Sequence, residues 1–147
     1  MHLPMVTNII LTEDDADDIM FFKLALKEIG FKYASRIAKN GEELIELLTD
    51  SKNLPQIIFL DLNMPILNGF DCLKIIRKDE RLDNCKVVIL TTTKHSTDVN
   101  LCRSLGADLF LQKPVQHGIL LEALQSILLT DYLSNNVITE ENFMFHS

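Results

Sequence analysis

Apolar residues in this chain gather into five short blocks: residues 9–11 (IIL), 35–38 (SRIA), 57–60 (IIFL), 87–90 (VVIL) and 109–111 (LFL). Continuous runs of this length, rather than alternating ones, predict strands covered on both faces. Between them the apolar positions return at helical spacing. Ile19, Phe22, Leu26 and Ile29 follow the acidic residues 14–18, whose charges suit a helix N-terminus, and Gly30 stops the pattern. A second helix starts near Asn40 and Gly41 with Glu42 and Glu43 in its first turn, turns Leu44, Leu47 and Leu48 inward, and ends before Pro55. Phe70, Leu73 and Ile76 mark a third helix, and Val99, Cys102 and Leu105 a fourth. Leu120, Leu124, Ile127 and Leu128 mark a fifth, expected to run to about Tyr132. The order is (βα)5. It predicts an α/β fold, a doubly wound five-stranded parallel sheet with right-handed crossovers and helices on both faces. Residues 78–85 (KDERLDNC), before the fourth strand, are charged and expected to form a solvated loop or a helix extension.

A length of 147 residues gives one domain, expected at residues 7–132, with an extension at 1–6 and a tail at 133–147. The composition, 47% hydrophobic and 24% charged, excludes extended disorder, collagen and coiled coil. With 14 basic residues against 21 acidic, the net charge is −7 and no basic stripe is available, so nucleic acid is not an expected partner. Cys72, Cys85 and Cys102 are odd in number and never approach a C-x-x-C spacing, which fits a reduced, intracellular protein. No apolar run reaches the ~20 residues of a membrane span. The first residues lack the pattern of a signal peptide, so a soluble, cytoplasmic protein is expected. His2, His95, His117 and His146 are scattered without metal-ligand spacing and are expected at the surface.

In open parallel sheets ligands bind beyond the carboxyl ends of the strands. The first strand runs into Glu13 and Asp14, the third into Asp61, the fourth into Thr91 and the fifth into Lys113. Singly, each has an ordinary reading: acids that cap a helix, a turn-forming aspartate before Pro65, a loop-capping threonine, a surface lysine before Pro114. Together they bring three carboxylates, a hydroxyl and an amine to one edge. Three crowded carboxylates repel unless a cation lies among them, and hard oxygen ligands favour Mg2+. A lysine and a hydroxyl beside that ion suit a phosphoryl group, and the natural nucleophile is an aspartate that can form an acyl phosphate. No Gly-rich phosphate loop supports nucleotide binding.

Residues 10–15 (ILTEDD), 59–65 (FLDLNMP) with Asn68 and Gly69, 89–91 (ILT), 106–107 (GA) and 110–114 (FLQKP) occur in the order and spacing of a known family. Over about residues 7–130 the chain resembles the receiver domain of two-component response regulators. The long loop before the fourth strand further resembles the small stand-alone receivers paired with phytochrome-type histidine kinases. The resemblance implies a flavodoxin-like strand order 2-1-3-4-5 and makes Asp61 the phosphoacceptor. Asp14 would bind Mg2+ directly and Glu13 largely through water, with Asp61 and the backbone carbonyl of Asn63 completing the ligands. Lys113 would pair with the phosphoryl oxygens, Thr91 would hydrogen-bond the attached group, and Phe110 would be the aromatic switch. Asp15, Asp17 and Asp18 are left as helix-capping charges, and Pro114 is expected to follow a cis peptide bond. The partners implied are a sensor histidine kinase or histidine phosphotransfer protein, plus a downstream protein or a second copy meeting the face of the fourth helix, fifth strand and fifth helix.

Two positions depart from the family pattern. Thr92 stands where a small alanine is usual, and Phe110 replaces a common tyrosine. Neither touches the metal or the nucleophile. Beside the phosphorylation-dependent regulator, which acts on no substrate but itself, two readings stay open. One is a constitutive receiver-fold adaptor that needs no phosphate. The other is an aspartyl-nucleophile phosphohydrolase, although a haloacid-dehalogenase-like enzyme would want an acid where Asn63 stands.

Overall fold

The computed structural model describes residues 8–30, 33–93, 95–113, 116–129 and 143–144. The strands are β1 (Asn8–Thr12), β2 (Ala34–Ala38), β3 (Ile57–Leu60), β4 (Lys86–Thr91) and β5 (Leu109–Gln112). The helices are α1 (Ala16–Ile29), α2 (Gly41–Leu47), α3 (Gly69–Lys78), α4 (Ser96–Ser104) and α5 (His117–Leu129). All strands run parallel in the order β2-β1-β3-β4-β5, as expected from the alternating pattern and the family resemblance. The expected end of the last helix near Tyr132 and the peptide before Pro114 lie outside the described residues.

Alternate residues of each strand feed two cores, as the pleat requires. Ile9, Leu11, Phe59, Val88, Leu90, Leu109 and Leu111 pack with Phe22, Leu26, Leu120, Leu124 and Leu128, placing α1 and α5 on one face. Ile10, Ile58, Leu60, Val87, Ile89 and Phe110 pack with Leu44, Leu73, Ile76 and Cys102, placing α2, α3 and α4 on the other. Each of the helical apolar stripes therefore has a sheet face to cover. Polar caps set where the helices begin: Asp15 accepts from Asp17 and Asp18 N–H, Asn40 from Glu43 N–H and Asn68 from Asp71 N–H.

Two expectations change. β2 lies at the sheet edge with Ala34 and Ser35 exposed, so it is not covered on both faces throughout. The segment expected to be a solvated loop or a helix extension contains a 3-10 turn at Glu80–Leu82, and it is not fully solvated, since it buries Leu82 and Cys85 under α3 and α4. Two apolar side chains three positions apart turn this charged stretch toward the core. The three cysteines are free and buried, and burial raises their thiols to about 11 for Cys72 and about 12 for Cys85 and Cys102. They are core residues, not thiolate nucleophiles.

Candidate functional site

The strand ladders continue one bond beyond the strands and so hold the backbone of the residues that carry charge. Glu13 N–H donates to Ala38 O at 2.9 Å, Asp61 N–H to Thr12 O at 3.1 Å and Lys113 N–H to Thr91 O at 2.7 Å. The loop after β3 is pressed down by α3. A Cβ on Gly69 would lie 2.6 Å from the carbonyl oxygen of Asp61 and 2.7 Å from Leu62 Cα, so only glycine lets the helix start this close.

This frame brings carboxylate oxygens of Glu13, Asp14 and Asp61 within 4.8 Å of one another. Glu13 and Asp61 are buried, at 1% and 5% exposure, whereas Asp14 faces solvent. Among the described residues one ammonium serves them: Lys113 Nζ donates to Glu13 Oε2 and to Asp18 Oδ2 at 3.0 Å, and lies 3.5 Å from Asp61 Oδ2. Burial pushes the Glu13 carboxyl up to about 7; the hydrogen bond from Lys113 opposes this and the charge of Asp61 adds to it. Burial works against the charge of Lys113, but its hydrogen bonds to Glu13 and Asp18 and the nearby Asp61 outweigh it and raise its pKa. The pocket thus carries more negative charge than its lysine can neutralise. Three converging hard oxygens with that excess fit Mg2+, with Glu13, Asp14 and Asp61 as the side chains that would hold it.

Two side chains join the site in ways the sequence did not disclose. Asp15 caps α1 as expected, but Asp18 reaches Lys113 and is not only a capping charge. Helical spacing carries it one turn beyond Asp14; that it meets a lysine 95 residues on is decided by the sheet. Asn63, considered for its carbonyl, donates its N–H to Asp61 Oδ1 at 3.1 Å and its side-chain amide to Thr91 Oγ1 at 3.2 Å and Thr92 Oγ1 at 3.4 Å. It ties the β3 loop to the end of β4, and Thr92, one of the two departures from the family pattern, supplies one of the acceptors.

Thr91 is fully buried. Phe110 is also fully buried, pairs with Ile89 in β4, and packs against Phe143 at a ring-centroid distance of 6.1 Å. By the pleat, Thr91 and Phe110 lie on the same sheet face, that of α4. His95 and His117 are exposed, as expected; His117 Nε2 lies 2.5 Å from Glu28 Oε2, linking α5 to α1 away from the acidic cluster. His2 and His146 lie outside the described residues.

Comparison with known proteins agrees with this geometry. The chain is 32% identical over 115 residues to the chemotaxis protein CheY of Thermotoga maritima, covering 76% of this chain and 92% of CheY. It is 31% identical over 120 residues to the sensory transduction protein BceR of Halalkalibacterium halodurans, covering 82% of this chain and 49% of BceR. It spans 5% of the length of hybrid signal transduction histidine kinase M of Dictyostelium discoideum. Among solved structures it is similar to the phosphorylated cyanobacterial phytochrome response regulator RcpA, with a TM-score of 0.74 and 24% identity over 89% of this chain and 97% of RcpA. The response regulator receiver domain model matches residues 9–125, most of the chain and all five strand-end positions, and the chain therefore belongs to the response regulator receiver family.

Proposed function

We propose that this chain is a phosphorylation-dependent signalling module of a two-component system, with Asp61 as its phosphoacceptor. The observation that carries the reading is the acidic cluster that outnumbers its cationic partners among the described residues, placed at the strand ends beside a buried lysine. A carboxylate oxygen of Asp61 attacks the phosphorus of a phosphohistidine; the O–P bond forms as the P–N bond breaks, and the imidazole leaves. Asn63 N–H holds one oxygen of Asp61, which directs the other toward the incoming group. Lys113, already 3.5 Å from Asp61, exchanges part of its carboxylate contacts for phosphoryl oxygens as negative charge accumulates there. Bound at Glu13, Asp14, Asp61 and the carbonyl of Asn63, Mg2+ would neutralise charge on the transferring oxygens.

The donor would be a histidine kinase or histidine phosphotransfer protein. Exposed Met20, Phe21 and Leu24 on α1, beside the acidic edge, give such a partner an apolar surface to dock on. The chain acts on no substrate but itself. Thr91 would shift toward the attached phosphoryl group, and the signal would leave through Phe110 and the face of α4, β5 and α5. Among the described residues no helix is long and apolar enough to cross a membrane.

Incubation with acetyl phosphate and Mg2+ followed by intact-mass measurement is the test. The chain should gain one phosphoryl group, Asp61→Asn none, and Lys113→Ala should gain it far more slowly while still binding Mg2+. Undiminished labelling of Asp61→Asn would overturn the assignment.

A further inference from the structure

The last described residues, Phe143 and Met144, do not stand free. Phe143 O accepts the Phe110 N–H at 2.9 Å, and Phe110 and Met144 form a parallel β-bridge. Phe143 is 1% exposed, among the largest fully buried side chains, and its ring tilts 51° against that of Phe110. Met144 packs on the same core. β5 is the outer strand on its side of the sheet, and an outer strand presents unpaired N–H and C=O groups that a further strand can take up. Here the residue that takes one of them also supplies the ring that covers Phe110.

We propose that the outer edge of β5 beside α4 is a strand-docking site occupied by this chain's own Phe143–Met144, and that occupancy is coupled to the phosphorylation state of Asp61 through Phe110. The coupling half rests on the receiver reading; the docking half does not. Main-chain pairing fixes the register, and the aromatic side chain supplies selectivity for an apolar, ring-bearing segment. Phe143 packs on the Phe110 ring in its buried position, the position that a phosphoryl group at Asp61 would favour through Thr91. The two events stabilise one state, so each strengthens the other.

Amide hydrogen exchange on the full chain tests the site. Phe110 N–H should be protected, and Phe143→Ala should speed its exchange at least about tenfold, with Phe143→Leu in between. A synthetic peptide of residues 139–147 added to the Phe143→Ala chain should restore protection, and the same peptide carrying Phe143→Ala should not. Equal Phe110 exchange in the wild type and Phe143→Ala would overturn the docking site, as would failure of the wild-type peptide. Protection lost on dilution, with a dimer seen by sedimentation, would replace the chain's own segment with that of a second copy. For the coupling, beryllofluoride with Mg2+ should tighten the peptide about 5-fold or more. Unchanged affinity with beryllofluoride demonstrably bound would overturn the coupling alone. Failure of beryllofluoride to bind would instead overturn the receiver reading, leaving the docking result to the peptide.

Discussion

At the amino ends of β4 and β5 one arginine holds the chain together, and at the carboxyl ends of β1, β3 and β5 one lysine does. The outcomes are opposite. Arg77, at the end of α3, donates to Gly106 O at 2.8 Å, Cys85 O at 2.9 Å and Leu82 O at 3.3 Å, and pairs with Asp108 at 2.9 Å. Asp108 in turn accepts Val87 N–H at 2.8 Å. One positive charge meets one negative charge and the remaining donors find carbonyls. Lys113 faces Glu13, Asp18 and Asp61 together, with Asp14 in the same cluster. Balanced charge at the first edge fastens the fold. Unbalanced charge at the second is a standing repulsion that a divalent cation would relieve, and this contrast distinguishes structural from functional charge more sharply than burial does.

The largest expected effect is at the balanced edge. Arg77→Ala strands three carbonyls and a partly buried carboxylate and should lower unfolding free energy by about 3 kcal/mol in urea titration. A loss below about 1 kcal/mol would break the comparison.

Next is the pH response of the acidic edge. Glu13 is raised to about 7 from 4.5, so the folded state binds its proton more tightly than the unfolded state does. Its stabilising contribution is complete below the unfolded pKa, declines as pH rises from about 4.5 to about 7, and is lost above that window. The decline should be on the order of 3 kcal/mol in metal-free protein. Glu13→Gln should remove it and saturating Mg2+ should flatten it. An identical pH profile for wild type and Glu13→Gln would refute the raised pKa of the buried Glu13.

Asp61→Asn relieves part of the same repulsion. Without divalent cations it should raise thermal stability by about 1 kcal/mol, opposite in sign to Arg77→Ala. The variant should also lose most of the stabilisation that Mg2+ gives the wild type. Destabilisation in EDTA would mean that Asp61 is structural.

The smallest effect sharpens the contrast through the backbone. Ile66, in the loop between Asp61 and α3, is 74% exposed with φ of 73°, a left-handed conformation unfavourable for a β-branched residue. Ile66→Gly should gain a few tenths to about 1 kcal/mol by differential calorimetry. No gain would remove backbone strain from the features of this edge.

What the sequence determined follows from local chemistry and period. Runs such as residues 57–60 and 87–90 specify strands because no polar position interrupts them, and the helical stripes supply two faces of cover. The positions of Glu13, Asp14, Asp61, Thr91 and Lys113 were legible because each closes a strand or lies within two residues of its end, and parallel strands bring all such positions to one edge. Tertiary structure decided what is held by contacts between distant residues with no spacing rule. Asp18 reaches Lys113 across 95 positions, Asn63 reaches Thr91 across 28, and Phe143 comes to lie over Phe110. It also decided which charges are balanced: Arg77 carries no signal in the sequence and Lys113 only that of its place after a strand, and the carboxylates and carbonyls that folding gathers around each make one a fastener and the other part of a site.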